Sequence, residues 1–319
     1  MPERSIDTIL VAYDLLSETH LARVAAAAPS ARIAGAGELS DEELARVDVL
    51  IGYLPGGGLG RLTGLRWMQQ TGAGADWLMR VPEFRDSDIV LTNASGVHAI
   101  PIAEHVLALM FALSRRLHFF VKAQSRGKWD RRGRLGELDG ATLGVIGVGA
   151  IGEQLAEKAR GLNMRVLGLR RDAARASPHV DRMFGPGGLH ELLGESDWVA
   201  ITAALTPETK GMIGEAELQA MKRSAYLINI GRGAHVDQRA LIAALQQGTI
   251  AGAGLDVFER EPLPEDSPLW AMKNVIVTPH FAGATPHYAD RVTDIFVANL
   301  ERYQRGEPLV NVVDKRQAY

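Results

Sequence analysis

GVIGVGAIGEQLA (residues 144–156) is the stretch on which the fold turns. The apolar run TLGVIG (142–147) reads as a buried strand and the residues after Gly152 read as a helix, so Gly147, Gly149 and Gly152 fall in G-x-G-x-x-G spacing at a strand-to-helix turn. There the first glycine allows the tight turn, the second lets the backbone approach a pyrophosphate, and the third lets helix and strand pack closely. The pyrophosphate meets the helix N-terminus around Ala150 and Ile151, where free N–H groups and the helix dipole favour an anion.

Working outward, strand-like runs alternate with helix-like segments along the chain. Candidate strands are residues 8–13, 47–53, 89–94, 142–147, 165–169, 198–202, 225–230, 252–258 and 275–279. Helix signals lie between them: a capping box at Ser40 and Glu43, Pro101 opening a helix, and Asp237 capping one that Gly248 ends. Near-continuous apolar strands with helical crossovers predict parallel sheets covered on both faces. The strands fall into two groups, and a helical stretch at 287–306 is long enough to carry the chain back to the first. The expected class is therefore α/β, with two Rossmann- or flavodoxin-like domains. A cofactor domain (98–287) is inserted into a discontinuous substrate domain (1–97 and 288–319), the cleft between them closing on hinges near His98 and Tyr288.

The second strand of the cofactor domain runs into RVLGLRRDAA (165–174), and its tip is where an adenosine ribose should lie. An NAD-binding protein puts a carboxylate there for the 2′-hydroxyl; Arg170 and Arg171 offer the opposite charge. Guanidinium forks suit a 2′-phosphate. At about 1.5–3 kcal/mol per charge-assisted contact, NADP is favoured over NAD by roughly tenfold to a few hundredfold. Asp172 keeps the alternative open, because a shifted turn would present it to the ribose.

The 319-residue chain is long enough for two domains, and its 46% hydrophobic and 23% charged residues describe an ordinary globular protein. A net charge of -3 argues against nucleic acid or an acidic membrane surface as a general partner. The absence of cysteine excludes disulfides, thiolate metal sites and cysteine nucleophiles, and is compatible with a cytoplasmic location. The longest apolar run, 99–113, carries Glu104 and His105 and is too short to span a bilayer. His98 and His105 have no metal-ligand spacing, and no metal is expected.

INIGRGAHVD (228–237), GAGLDVFEREP (252–262) and VTPHFAGAT (277–285) resemble, in order, the signatures of the D-isomer-specific 2-hydroxyacid dehydrogenase family. The resemblance covers nearly the whole chain, including GAGADWL (72–78) and NASGVHAIPIAEHVLALM (93–110). It implies a catalytic arginine at Arg232, its acid partner at Glu261 and an acid/base histidine at His280. These types suit reduction of a 2-keto acid: a cation holds the carboxylate and polarises the carbonyl, and a proton donor stands near its oxygen. A carboxylate beside the imidazole fixes its orientation and favours the protonated ring. The resemblance also implies cofactor contacts from Thr206, Ile230, Gly231, Asp256 and His280, with a buried structural carboxylate as the competing reading of Asp256. Backbone N–H groups of Ala73 and Gly74 could hold the substrate carboxylate opposite Arg232. YLPGGGLG (53–60), with Leu54, is a second candidate wall or simply a flexible turn.

The family resemblance implies a homodimer paired through the cofactor domain and a small 2-keto or 2-hydroxy acid as substrate. Arg170, at the position of the NAD members' acid, points to the glyoxylate/hydroxypyruvate reductase branch. Trp77, Trp129 and Trp270 read as packing or interface residues, and Ala204 stands where many members have proline. No serine-feedback regulatory domain is expected after VNVVDKRQAY, and Glu261 argues against a formate dehydrogenase. Two rivals stay open: a dinucleotide sensor that binds without turnover, and a same-fold dehydrogenase for another substrate such as phosphite.

Overall fold

A computed structural model describes residues 5–54 and 58–316, apart from the side chain of Asp76. The chain divides into two compact units, Met1–His98 with Thr285–Tyr319, and Ala99–Ala284.

The first unit is built on a five-stranded parallel sheet. Its strands are β1 (Thr8–Ala12), β2 (Arg32–Gly35), β3 (Val49–Gly52), β4 (Trp67–Gln69) and β5 (Val90–Thr92), in the flavodoxin-like order β2-β1-β3-β4-β5. Alternation along the strands sends side chains to two cores. Leu10, Leu50 and Met68 join Phe84 and Leu78 on one face, while Ile9, Val49, Ile51 and Trp67 meet Phe296 and Leu300 on the other. The long C-terminal helix, Tyr288–Gln304, therefore belongs to this unit, and Phe296 and Tyr303 each lie 5.3 Å from the Trp67 ring.

The second unit carries a seven-stranded parallel sheet of β6 (Thr142–Ile146), β7 (Arg165–Leu169), β8 (Arg182–Phe184), β9 (Trp198–Ile201), β10 (Tyr226–Asn229), β11 (Gly252–Leu255) and β12 (Val275–Val277). The order β12-β11-β10-β9-β6-β7-β8 is Rossmann-like, reversing direction between β6 and β9. All residues of β6, β9 and β11 are buried. Helix Ala99–Ser114 covers one face with Val106, Met110 and Leu113; Leu192, Leu218, Leu241 and Leu245 cover the other. Among the described residues, no helix is long and apolar enough to cross a membrane.

All nine candidate strands are present, and three more appear: β2, β4 and β8. Several end earlier than expected, most tellingly β11, which stops at Leu255 rather than Phe258. Just beyond it the Asp256 N–H still donates to the Asn229 carbonyl (3.0 Å), while its carboxylate accepts the Phe281 and Ala282 N–H groups, both at 3.0 Å. The Ser40–Glu43 capping box forms, and Asp237 caps Gln238–Gln247, which ends at left-handed Gly248. Pro101 sits in the first turn of its helix, where its missing N–H is tolerated.

Candidate active site

The dinucleotide end forms at the tip of β6, where Gly147 has φ +100° and a Cβ there would lie 2.5 Å from the Ala203 backbone. Gly147 N–H donates to the Leu169 carbonyl (2.8 Å) and Gly149 N–H to the Gly147 carbonyl (2.9 Å), which closes the turn. Helix Ala150–Gly161 then begins with Gly149 as a cap that has no side chain, leaving the first-turn N–H groups of Ala150, Ile151 and Gly152 without a side-chain acceptor. A Cβ on Gly149 would meet no protein atom within 4 Å, whereas one on Gly152 would lie 2.5 Å from the Gly147 carbonyl oxygen. Open space before an uncapped helix start fits the pyrophosphate of a dinucleotide.

At the tip of β7 the two arginines differ. Arg170 has a side chain only 12% exposed, turned back to Glu153 (3.7 Å) and to the Arg175 carbonyl (3.3 Å). Arg171 is exposed, and its charge helps hold the Glu208 carboxyl below its ordinary range, after the larger effects of bonding to Thr206 and to its own backbone. Arg171, Thr206 and Glu208 thus share a neighbourhood across β7 and the segment after β9. Asp172 uses its carboxylate to accept the Ala174 N–H (3.1 Å), a local turn.

The residues expected to be reactive stand on loops that leave β10, β11 and β12. After β10, the Asn229 side chain accepts the Gly231 N–H and donates to the Arg232 carbonyl, both at 3.1 Å. Ile230 is buried in the core behind this turn. Glu261 lies after β11: one carboxylate oxygen accepts the Phe258 N–H (2.9 Å) and the other faces His280 Nδ1 at 2.7 Å. With a carboxylate at Nδ1, that nitrogen carries the proton and Nε2 is the atom left for chemistry.

His280 has φ +52°, a left-handed conformation that a residue with a Cβ adopts only when held. Asp256, 1% exposed, does the holding: its carbonyl accepts the His280 N–H (2.8 Å), and its carboxylate takes Phe281, Ala282 and the Thr278 hydroxyl (2.5 Å). His105 Nε2 reaches the same hydroxyl at 3.0 Å.

The expected substrate loop lies in the other unit. There Gln70 Nε2 donates to the Gly72 (3.1 Å) and Gly74 (2.6 Å) carbonyls, and Asn93 Nδ2 donates to the Ala73 carbonyl (2.8 Å). The carbonyls are thereby tied back, and among the described residues the Ala73 and Gly74 N–H groups have no backbone acceptor. Leu54 is half-buried against the adjoining core, while residues 55–57 of the second candidate wall lie outside the described residues.

Sequence reasoning did not single out Gln70, Asn93, Gly233 or His235. Gly233 is required because a Cβ there would sit 1.9 Å from the Phe258 carbonyl carbon, so it is where the Arg232 and Glu261 loops touch. His235 is wholly buried three residues after Arg232, a capping-box spacing that could have drawn attention to it.

The model of the D-isomer specific 2-hydroxyacid dehydrogenase NAD binding domain matches residues 107–282. A glyoxylate reductase of Korarchaeum cryptofilum is 39% identical over 259 residues, 79% of this chain and 76% of that protein. Among solved structures, a D-isomer specific 2-hydroxyacid dehydrogenase from Xanthobacter autotrophicus Py2, in complex with NADPH and MES, is 33% identical with a TM-score of 0.83, covering 99% of this chain and all of that one. An NADPH-dependent glyoxylate/hydroxypyruvate reductase from Sinorhizobium meliloti, in complex with NADP and sulfate, is 26% identical with a TM-score of 0.82 over 98% of this chain and 100% of that one.

Proposed function

The chain belongs to the D-isomer specific 2-hydroxyacid dehydrogenase family, and from that membership we propose that it reduces glyoxylate or hydroxypyruvate to the 2-hydroxy acid, with NADPH as preferred donor. It is an oxidoreductase acting on 2-hydroxy acids that uses a nicotinamide dinucleotide. The observation that carries the reading is the Glu261–His280 pair at 2.7 Å, on a turn buttressed by buried Asp256, with Arg232 at the tip of β10.

The bound cofactor supplies a hydride to the keto carbon. Arg232 binds the substrate carboxylate and polarises the carbonyl. His280 Nε2 gives the proton that the carbonyl oxygen needs, so hydride plus proton convert ketone to alcohol, and Glu261 holds the ring and balances its charge. Ala150, Ile151, Gly152, Thr206, Ile230 and Gly231 would hold the cofactor, and Asp256 acts by shaping the His280 turn. The test is NADPH and NADH oxidation against glyoxylate, hydroxypyruvate, pyruvate and phenylpyruvate. Turnover of the first two supports the reading, and NADPH binding with no turnover on any acid defeats it.

Of the two arginines, Arg171 is the one we assign to the 2′-phosphate, because it is exposed at the end of β7 while the Arg170 side chain is only 12% exposed. Arg171→Ala is expected to weaken NADPH binding by about tenfold or more, the value of one charge-assisted contact, and to leave NADH binding close to wild type. Fluorescence titration with both cofactors checks this; equal weakening of the two would remove the phosphate assignment.

We also propose a homodimer formed through the cofactor unit. Trp129 is 94% exposed and Val121 62%, and both suit a covered interface. Trp77 instead packs on Phe84, and Trp270 is half exposed.

A further inference from the structure

We infer that His235 is a positioning residue for Arg232: a neutral buried imidazole whose Nδ1 accepts the Arg232 N–H and so sets the main chain from which the guanidinium projects. The inference rests on the proposed role of Arg232 in binding the 2-keto acid. His235 has no exposed surface. Its Nε2 lies 3.2 Å from the Ala204 carbonyl oxygen, which can only accept, so Nε2 bears the proton. Nδ1 lies 3.0 Å from both the Arg232 nitrogen and the Arg232 oxygen. That oxygen already receives the His235 backbone N–H (3.2 Å) and Asn229 Nδ2 (3.1 Å), filling its two lone pairs. The nitrogen has a hydrogen to give and, in this buried turn, takes Nδ1 as acceptor. Burial, the largest influence, also pushes His235 toward the neutral form.

The ring therefore joins two segments of the site. Arg232 is fixed at its N–H by Nδ1 and at its carbonyl by Asn229, while Gly231 passes so close that a Cβ would stand 3.0 Å from the imidazole. On the far side, the Ala204 carbonyl also receives the Thr209 hydroxyl at 2.8 Å. Ala204 thereby has a part to play: its carbonyl is the anchor that chooses the His235 tautomer.

Two substitutions separate the ends. His235→Asn places an acceptor near the Nδ1 position and loses the reach to Ala204; His235→Gln keeps a donor near Nε2 and removes the acceptor from Arg232. The expected result is that Gln raises the KM for glyoxylate about tenfold, with NADPH affinity retained, and speeds hydrogen exchange at the Arg232 amide, whereas Asn does neither. A general packing role would move both variants alike, and that outcome overturns the inference. Amide exchange reads the link whether or not any 2-keto acid is turned over. If the wild type is inactive on all of them, the functional reading fails while exchange still decides for or against His235. Nitrogen-15 NMR of the wild-type ring needs no variant: protonation at Nε2 supports the inference, and protonation at Nδ1 overturns it.

Discussion

His280→Asn lowers kcat for glyoxylate reduction by about 10²–10⁴-fold, the usual contribution of a positioned general acid, while NADPH binding stays close to wild type. Asparagine is the informative replacement because the backbone at this position has φ +52°, which asparagine accepts more readily than alanine. Its amide can still donate to Glu261 from near the Nδ1 position and lacks only the atom assigned to proton transfer. The buttress survives, since Asp256 holds the turn through the His280, Phe281 and Ala282 N–H groups. Steady-state kinetics with a parallel cofactor titration checks both halves; activity within a few-fold of wild type would remove His280 from the chemistry.

Gly233→Ala abolishes activity by a different route. The added Cβ would stand 1.9 Å from the Phe258 carbonyl carbon, 2.0 Å from its oxygen and 2.4 Å from the Glu259 nitrogen, all backbone atoms that cannot rotate aside. The loops bearing Arg232 and Glu261 must part, at a cost of about 3 kcal/mol or more in stability. Gly149→Ala is the contrasting control: its Cβ enters space free of protein atoms, so melting temperature holds while NADPH affinity falls. Thermal denaturation and NADPH titration of the two variants give opposite patterns on this account. A Gly233→Ala protein as stable and active as wild type would show that the two loops do not depend on their close approach.

Much of this architecture could be read from residues alone, for identifiable reasons. Strands such as β6 and β9 are buried along their whole length, so they appear as uninterrupted apolar runs. The edge strands β2 and β8 are half exposed and only three or four residues long, too short to show a period. β4 lies inside its sheet but reads Trp-Met-Gln, and its buried Gln69 looks like a loop residue until Thr92 is seen donating to it at 2.7 Å. The same contrast holds in the site. Gly147 and Gly152 are recognisable from spacing, because the strand and helix around them are local. The inward turn of Arg170 depends on Glu153, and the placement of His235 depends on Ala204, both far away in sequence.

The most direct test of hydride transfer follows the hydrogen itself. Glyoxylate is incubated with NADPH deuterated at nicotinamide C4, using wild-type protein and His280→Asn, and the glycolate is analysed by mass spectrometry. The account predicts glycolate carrying deuterium on carbon 2 from the wild type and almost none from the variant. Undeuterated product, or no glycolate from a wild-type protein that binds NADPH, would contradict it.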